Sequence, residues 1–442
     1  ASDLALHGSS YLSTDGLGSA GSAHTRSTAA CNSSARMPMM PSDACECSLA
    51  AASLGLEYAD VADVEWPQGC IVRAESAYFA AGSQTGSSEP SASDGGGAFI
   101  CRTQPSTAAY RQGGDANSCI DSGTGGGGGG GHGGDGGYGE SNAAPAGIGY
   151  GDELWPSDSG SGGGRGYYKY GTSGGYSAGG GGGGVINVTL SGALNVSSGA
   201  ALRANGGAGV GGSGSTLSGG GGGSGGSVLV RASGVYGSGS IEASGGAGGT
   251  RSSAVISGSS RSGSSGGGGG GGRIAVYTSS STFTSELTLR ATGGGGGSAS
   301  AKAGSAGTVY TSVAGFRTLV LDNSPIARSS ISGKVRYPGG VVASAPAATL
   351  QLDVLRVVNS DVDVYGRLEI PSLLAHSSTI GVTAVHAEAT VLNISLEDSF
   401  IVNLNAQPSI AFTGKSVQIG GSSGGVRCTG AGCQIVLDAA DA

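Results

Sequence analysis

Gly267 to Tyr277 reads GGGGGGRIAVY, a run of glycine that passes without a break into a short apolar segment. Arg273-Ile274-Ala275-Val276-Tyr277 has the two-residue alternation of a strand. The same junction recurs where Gly179 to Gly184 leads into Val185-Ile186-Asn187-Val188-Thr189-Leu190 and where GGGSGG leads into Ser227 to Val230. Further runs span Gly125 to Gly131, Gly219 to Gly223 and Gly293 to Gly297, so that 94 of 442 residues are glycine. Average usage is about 7%. Glycine loses more backbone freedom on folding than any other residue, and such runs ordinarily form linkers. Set between strands in a repeat, they are expected instead to pack side by side as extended, polyglycine-like lines. Only residues without Cβ let backbones approach until neighbouring amides satisfy one another.

Three segments superpose: 185–207, 227–246 and 273–294. Each closes in a strand, a small polar residue and two glycines, as in Leu202-Arg203-Ala204-Asn205-Gly206-Gly207, Ile241-Glu242-Ala243-Ser244-Gly245-Gly246 and Leu289-Arg290-Ala291-Thr292-Gly293-Gly294. Leu12-Ser13-Thr14-Asp15-Gly16 is a partial further copy. A unit of three short strands plus a glycine excursion cannot bury its apolar face alone, so units must stack. The expected class is all-β: a parallel β-helix with ordered glycine-rich loops. Alternation turns Ile186, Val188, Val228, Val230, Ile274 and Val276, with Leu202, Ile241 and Leu289, inward. In-register stacking would then place Arg203, Glu242 and Arg290 in one alternating charge ladder.

The expected organisation is first strands over 1–23, an inserted cysteine-rich domain over 24–122, the glycine-rich β-helix over 123–315 and a β-solenoid or β-sandwich extension over 316–442. The insertion holds Cys31, Cys45, Cys47, Cys70, Cys101 and Cys119 and a candidate helix from Ala44 to Leu54 behind Ser42 and Asp43 as caps. Cys428 and Cys433 complete an even count, without paired CxxC units of zinc-finger spacing, so disulfides in an oxidising compartment are favoured over metal. Acceptors for N-linked glycan at Asn32, Asn187, Asn195 and Asn393 agree with that compartment.

Charged residues are only 12% of the chain and the net charge is −8, without a basic block, which disfavours nucleic acid as a partner. No apolar stretch approaches the ~18 to 20 residues of a membrane span. The chain starts at Ala1 with neither Met nor a basic-then-apolar leader, which reads as a secreted chain freed of its signal peptide; an arbitrary first residue would read the same.

The motifs HGG at His132 to Gly134, GSGGG at Gly160 to Gly164, GGGGGGVINV at Gly179 to Val188, GGGSGGSVLV at Gly221 to Val230, GGGGGGRIAVY at Gly267 to Tyr277 and AGTVY at Ala306 to Tyr310 resemble the glycine-rich β-helical modules of very large secreted or surface proteins of bacteria and unicellular eukaryotes. CSLAAASLGL at Cys47 to Leu56, WPQGC at Trp66 to Cys70 and FIC at Phe99 to Cys101 are similar to a small cysteine-containing domain of algal and protist extracellular proteins. The resemblance covers roughly residues 1–315. It implies an extracellular scaffold and carries no catalytic residue across.

Chemistry in the sequence is sparse. His132 with Asp135 could bind metal or act as a base, but an imidazole in a glycine segment is more often a hydrogen-bonding brace. Asp152 and Glu153 beside Trp155 suggest a sugar cleft, against the commoner reading of solvated carboxylates. Tyr167, Tyr168, Tyr170 and Tyr176 form a contact stripe or cover the glycine surface; covering is favoured. The glycine runs lack the repeated Asp of calcium nonapeptides and the GK[ST] of phosphate loops. No catalytic, metal or cofactor site is expected. The favoured function is a non-enzymatic structural protein of an extracellular filament, flagellar hair or coat, assembling with itself or with other surface proteins. A surface adhesin or carbohydrate-binding solenoid is the alternative, and a polysaccharide-active β-helix enzyme the second.

Overall fold

The computed structural model describes residues 11–15, 122–140, 144–170, 173–213, 217–256, 258–284, 286–337, 350–364, 368–382, 388–403, 409–414, 416–422, 425–428 and 434–439, together with the strands Leu4–Leu6, His24–Ser27, Arg36–Pro38, Glu57–Tyr58, Gly69–Arg73, Ser76–Ala80 and Ala98–Thr103. Those residues are all-β with several parallel sheets, and helix among them is confined to short 3-10 turns such as Arg328–Ser330. The chain divides into two compact units, one of Ala1–Gly21, Arg111–Asn117 and Thr124–Ala442, the other of Ser22–Tyr110 and Ser118–Gly123.

In the larger unit the repeat stacks strand on strand. Val185–Thr189, Ser227–Ala232, Arg273–Thr278 and Thr308–Val313 form a parallel ladder that puts Ile186, Val228, Ile274 and Val309 side by side. Leu4–Leu6, Leu194–Val196 and Val235–Tyr236 form a second. Tyr11–Ser13, Ala201–Arg203, Ser240–Glu242 and Thr288–Arg290 form a third, in which Leu12, Leu202, Ile241 and Leu289 are aligned. Leu194, Val196, Leu202, Val228, Val230, Ile241 and Ile274 are wholly buried in one core between the ladders. Each is an inward position of the two-residue alternation, and burying such a side chain contributes about 1.5–3 kcal/mol.

The glycine segments are threefold lines rather than loops. Along Gly219 to Gly226 the amides of Gly219, Gly222 and Gly225 donate to Ser264, Gly267 and Gly270; those of Gly220, Gly223 and Gly226 donate to Val210, Gly207 and Ala204; those of Gly221 and Ser224 donate to Gly164 and Ser161. The carbonyls answer in the same rhythm, receiving Gly127 and Gly130 on one side, Gly249 and Gly246 on another, Gly180 and Gly183 on a third. All these bonds lie between 2.7 and 3.1 Å. A step of three residues per neighbour is the repeat of polyproline II, which has no internal hydrogen bonds and must satisfy its amides outside itself. Six surrounding lines do so here. A Cβ on Gly223 would lie 2.1 Å from the carbonyl oxygen of Gly181. Ser224 is the exception within the line: its hydroxyl accepts the Ser161 amide at 2.8 Å.

The large sheet continues across 315/316. Thr308–Val313 turns through Ala314 and Gly315, at φ 48° and 88°, into the antiparallel strand Phe316–Asp322. The sheet then continues in parallel through Val354–Val358, Leu368–His376 and Glu388–Glu397. A second parallel ladder runs through Val335–Tyr337, Asp361–Val364, Thr379–Val382, Phe400–Asn403 and Gly425–Cys428. The core changes faces at the hairpin. Val309 and Val320 pack with the first core, whereas their neighbours Tyr310 and Leu319 join Leu321, Leu355, Val357, Val362 and Ile380 on the opposite face. Leu229 and Ala275, which face outward from the first core, are therefore buried as well.

At the corner between these two ladders Ser360, Ser378 and Ser399 stack. The Ser378 hydroxyl faces the Ser360 amide at 3.3 Å and that of Ser399 faces the Ser378 amide at 3.1 Å, each following a residue of positive φ: Asn359, Ser377 or Asp398. The wholly buried Asn323 ties this half to the glycine lines, accepting from the Gly293 amide and donating to the Gly304 carbonyl.

The smaller unit contains a six-stranded, mainly antiparallel sheet of His24–Ser27, Arg36–Pro38, Glu57–Tyr58, Gly69–Arg73, Ser76–Ala80 and Ala98–Thr103. The expected helix from Ala44 to Leu54, Asn32 and all eight cysteine side chains lie outside the described residues.

Candidate functional site

The densest chemistry gathers where residues 150–158 cross the outward face of the large sheet. Gly151 takes φ +83°, a conformation that side chains rarely adopt, and Asp152 then accepts the amides of Leu154 and Trp155 on Oδ1 at 2.7 and 3.1 Å. A row of cross-strand partners, Ser227, Arg273 and Thr308, holds the segment from below. The Ser227 hydroxyl donates to the Asp158 carbonyl at 2.6 Å, and Arg273 Nε donates to the Tyr150 carbonyl at 2.8 Å. Arg273 also reaches Thr308 Oγ1 at 3.1 Å and pairs with Glu153 at 3.5 Å, both side chains being almost wholly buried. Burial pulls the Arg273 pKa down, against Glu153, Asp152 and Asp158, which favour the charged form.

Asp152 is exposed and Glu153 is buried, so the two carboxylates do not act as one solvated pair. One braces a turn and the other is the buried counter-ion of Arg273. A second row of cross-strand partners, Arg231 and Tyr277, lies under Trp155. Trp155 stacks on Tyr277 at 5.0 Å and 17°, with the Arg231 guanidinium 5.6 Å from its ring. The Tyr277 hydroxyl donates to the Leu154 carbonyl at 2.7 Å, and burial raises the phenol well above its usual range, so it stays a donor.

His132 is wholly buried and its Nδ1 donates to the Gly225 carbonyl at 2.8 Å. Gly127 and Gly130 fill the two preceding places on that line, so the imidazole stands in for the next backbone amide. Asp135 does not join it in a catalytic pair: it accepts the amides of Gly149 at 2.7 Å and Lys334 at 3.1 Å and pairs with Arg336. These carboxylates are spent on fastening segments to one another. Among the described residues no three His, Cys, Asp or Glu side chains converge as metal ligands would. Tyr167 and Tyr168 are buried and Tyr176 lies 5.1 Å from Tyr167; the Tyr170 side chain lies outside the described residues.

Glu242 lies in register between Arg203 and Arg290, and Arg203 Nε is 3.3 Å from its carboxylate. Glu242→Lys should cost no more than about 1 kcal/mol, an effect that salt reduces, because both partners keep access to water. A guanidinium titration at two ionic strengths checks this. Asn187 and Thr189 are exposed while Val188 between them is buried, so the acceptor's side chain is accessible. Asn195 is half-buried, and the side chain of Asn393, opposite Ser372 and Ser416, lies outside the described residues. Peptide mass spectrometry of natively secreted material is expected to find glycan on Asn187; bare peptide there would overturn the assignment.

The stacked serines, Asn323 and the Glu153–Arg273 pair escape sequence reasoning. The signal for the serines is a polar dipeptide, Asn359-Ser360, Ser377-Ser378 and Asp398-Ser399, ahead of three successive strands of the second ladder, Asp361–Val364, Thr379–Val382 and Phe400–Asn403. No helix among the described residues is long and apolar enough to cross a membrane. No protein-family model, curated protein or solved structure matches the chain.

Proposed function

We propose that this chain is a non-enzymatic structural protein of the extracellular surface, a protomer or segment of a filament, flagellar hair or coat. In this reading each three-strand unit closes into one coil of a parallel β-helix, the cysteines staple the smaller unit, and N-linked glycans decorate the outside. The supporting observation is the bundle of glycine lines. Its amides and carbonyls are bonded to neighbours in six directions, so the long excursions of the repeat brace the stack instead of forming a mobile cleft.

A means of assembly accompanies it. Val185–Thr189 has a sheet neighbour on one side only among the described residues. The bonds Ser227 N–H to Gly184 and Leu190 N–H to Arg231 commit the even positions to that neighbour, so by alternation the amides of Val185, Asn187 and Thr189 face the open edge. An open edge invites the end of another copy, and head-to-tail contacts of that kind do not close, giving filaments rather than rings. Electron microscopy of native material should show fibres. Val185→Pro removes one outward amide, spares the ladder bonds and leaves the Asn187 acceptor intact; it should shorten or abolish them. Native material that remains a monodisperse monomer at high concentration would overturn the reading.

A further inference from the structure

We propose that the surface at Trp155 is a binding site for an anionic saccharide, with a pyranose ring on the indole and its carboxylate or sulfate on Arg231. The chain has only two tryptophans, and this one is half exposed, at 50%. It is also held still. Asp152 fixes its amide, Tyr277 lies flat beneath it, and Tyr310 backs Tyr277 at 5.5 Å. Glu153 next to it is anchored by Arg273, and Asp158 beyond it by Ser227. A flat aromatic face immobilised before the ligand arrives loses little freedom on binding, and the C–H faces of a sugar ring fit it.

Arg231 is the independent observation. It is the cross-strand partner of Tyr277 and its guanidinium lies over the indole, 5.6 Å from the ring centre, while its Nε is shielded from water and meets no hydrogen-bond acceptor. The neighbouring Arg273 and Arg317 both pair with carboxylates. A guanidinium with no carboxylate paired to it, next to an exposed aromatic ring, suits an oxyanion carried by a sugar.

The test is affinity electrophoresis of the full chain through polygalacturonate, a sulfated galactan and neutral dextran. Retardation by at least one anionic polymer, and not by dextran, is expected; which of the two retards the chain tells carboxylate from sulfate. Trp155→Ala should weaken retention about ten-fold or more. Arg231→Gln should remove the preference for the anionic polymer while leaving the thermal midpoint near that of the parent, and it keeps the test decisive should Trp155→Ala fold poorly. Val185→Pro should bind as the parent does, which separates this site from filament assembly. No retention by either anionic polymer, equal retention by dextran, or unchanged retention in both Trp155→Ala and Arg231→Gln would overturn the proposal.

Discussion

Gly223→Ala is expected to be among the most damaging single-methyl changes in this chain. The added Cβ would lie 2.1 Å from the carbonyl oxygen and 2.5 Å from the carbonyl carbon of Gly181. Neither can retreat cheaply, because the Gly181 carbonyl also accepts the Gly207 amide at 2.7 Å and its neighbour Gly180 donates to Gly221 at 2.8 Å. Overpacking a core side chain costs about 1–3 kcal/mol, and a clash with hydrogen-bonded backbone on a second line exceeds the upper end of that range. Thermal unfolding followed by circular dichroism should show a large drop in midpoint for Gly223→Ala. Gly295→Ala is the matched control: a Cβ there meets nothing within 4 Å. It should change stability by no more than about 0.5–1 kcal/mol, and in the favourable direction, through the unfolded chain. Equal midpoints for the two variants would mean that the lines are not packed as described.

Glu153→Ala should cost about 3–5 kcal/mol, because it leaves the Arg273 guanidinium buried without its counter-ion. Arg273 would keep its bonds to the Tyr150 carbonyl and Thr308, which satisfy donors but do not neutralise charge. The double variant Glu153→Leu with Arg273→Met removes both charges and should recover most of the loss, since an apolar pair of similar volume often replaces a buried ion pair at little cost. Protease susceptibility of the 150–158 segment, measured for the parent and both variants, separates the cases. A single variant as resistant as the parent would show that the pair contributes nothing.

The parts of this architecture that repeat in the sequence were legible there. Arg203, Glu242 and Arg290 could be aligned because each sits two residues before a conserved spacing of small residue and glycine pair within its own unit, and alternation alone identified Ile186, Val228 and Ile274 as core. Leu229 and Ala275 show the limit. By alternation they face away from that core, and they are buried because that outward face joins a second apolar cluster, against which Leu154 of the crossing segment also packs. Nothing local to Ala314 and Gly315 announces that exchange; it follows from which face Leu319 and Leu321 find available once the hairpin has formed. Glu153 misled for a similar reason, since a carboxylate in a polar loop is solvated unless a guanidinium far along the chain is buried beneath it.

Composition and periodicity by themselves determined the strand class, the stacking register of the repeats and the requirement that the glycine lines satisfy one another, because these depend on backbone geometry and on the absence of Cβ. The tertiary structure decided which lines are neighbours, where the core crosses from one face of the sheet to the other, and which polar side chains are withdrawn from water. Glycine amides are chemically identical, so a run such as Gly219 to Gly223 states that it will be surrounded without stating by what. Partner choice is set by the fixed positions of the strands at either end of each run, and by the few side chains, His132, Ser224 and Asn323 among them, that fit a line at only one place.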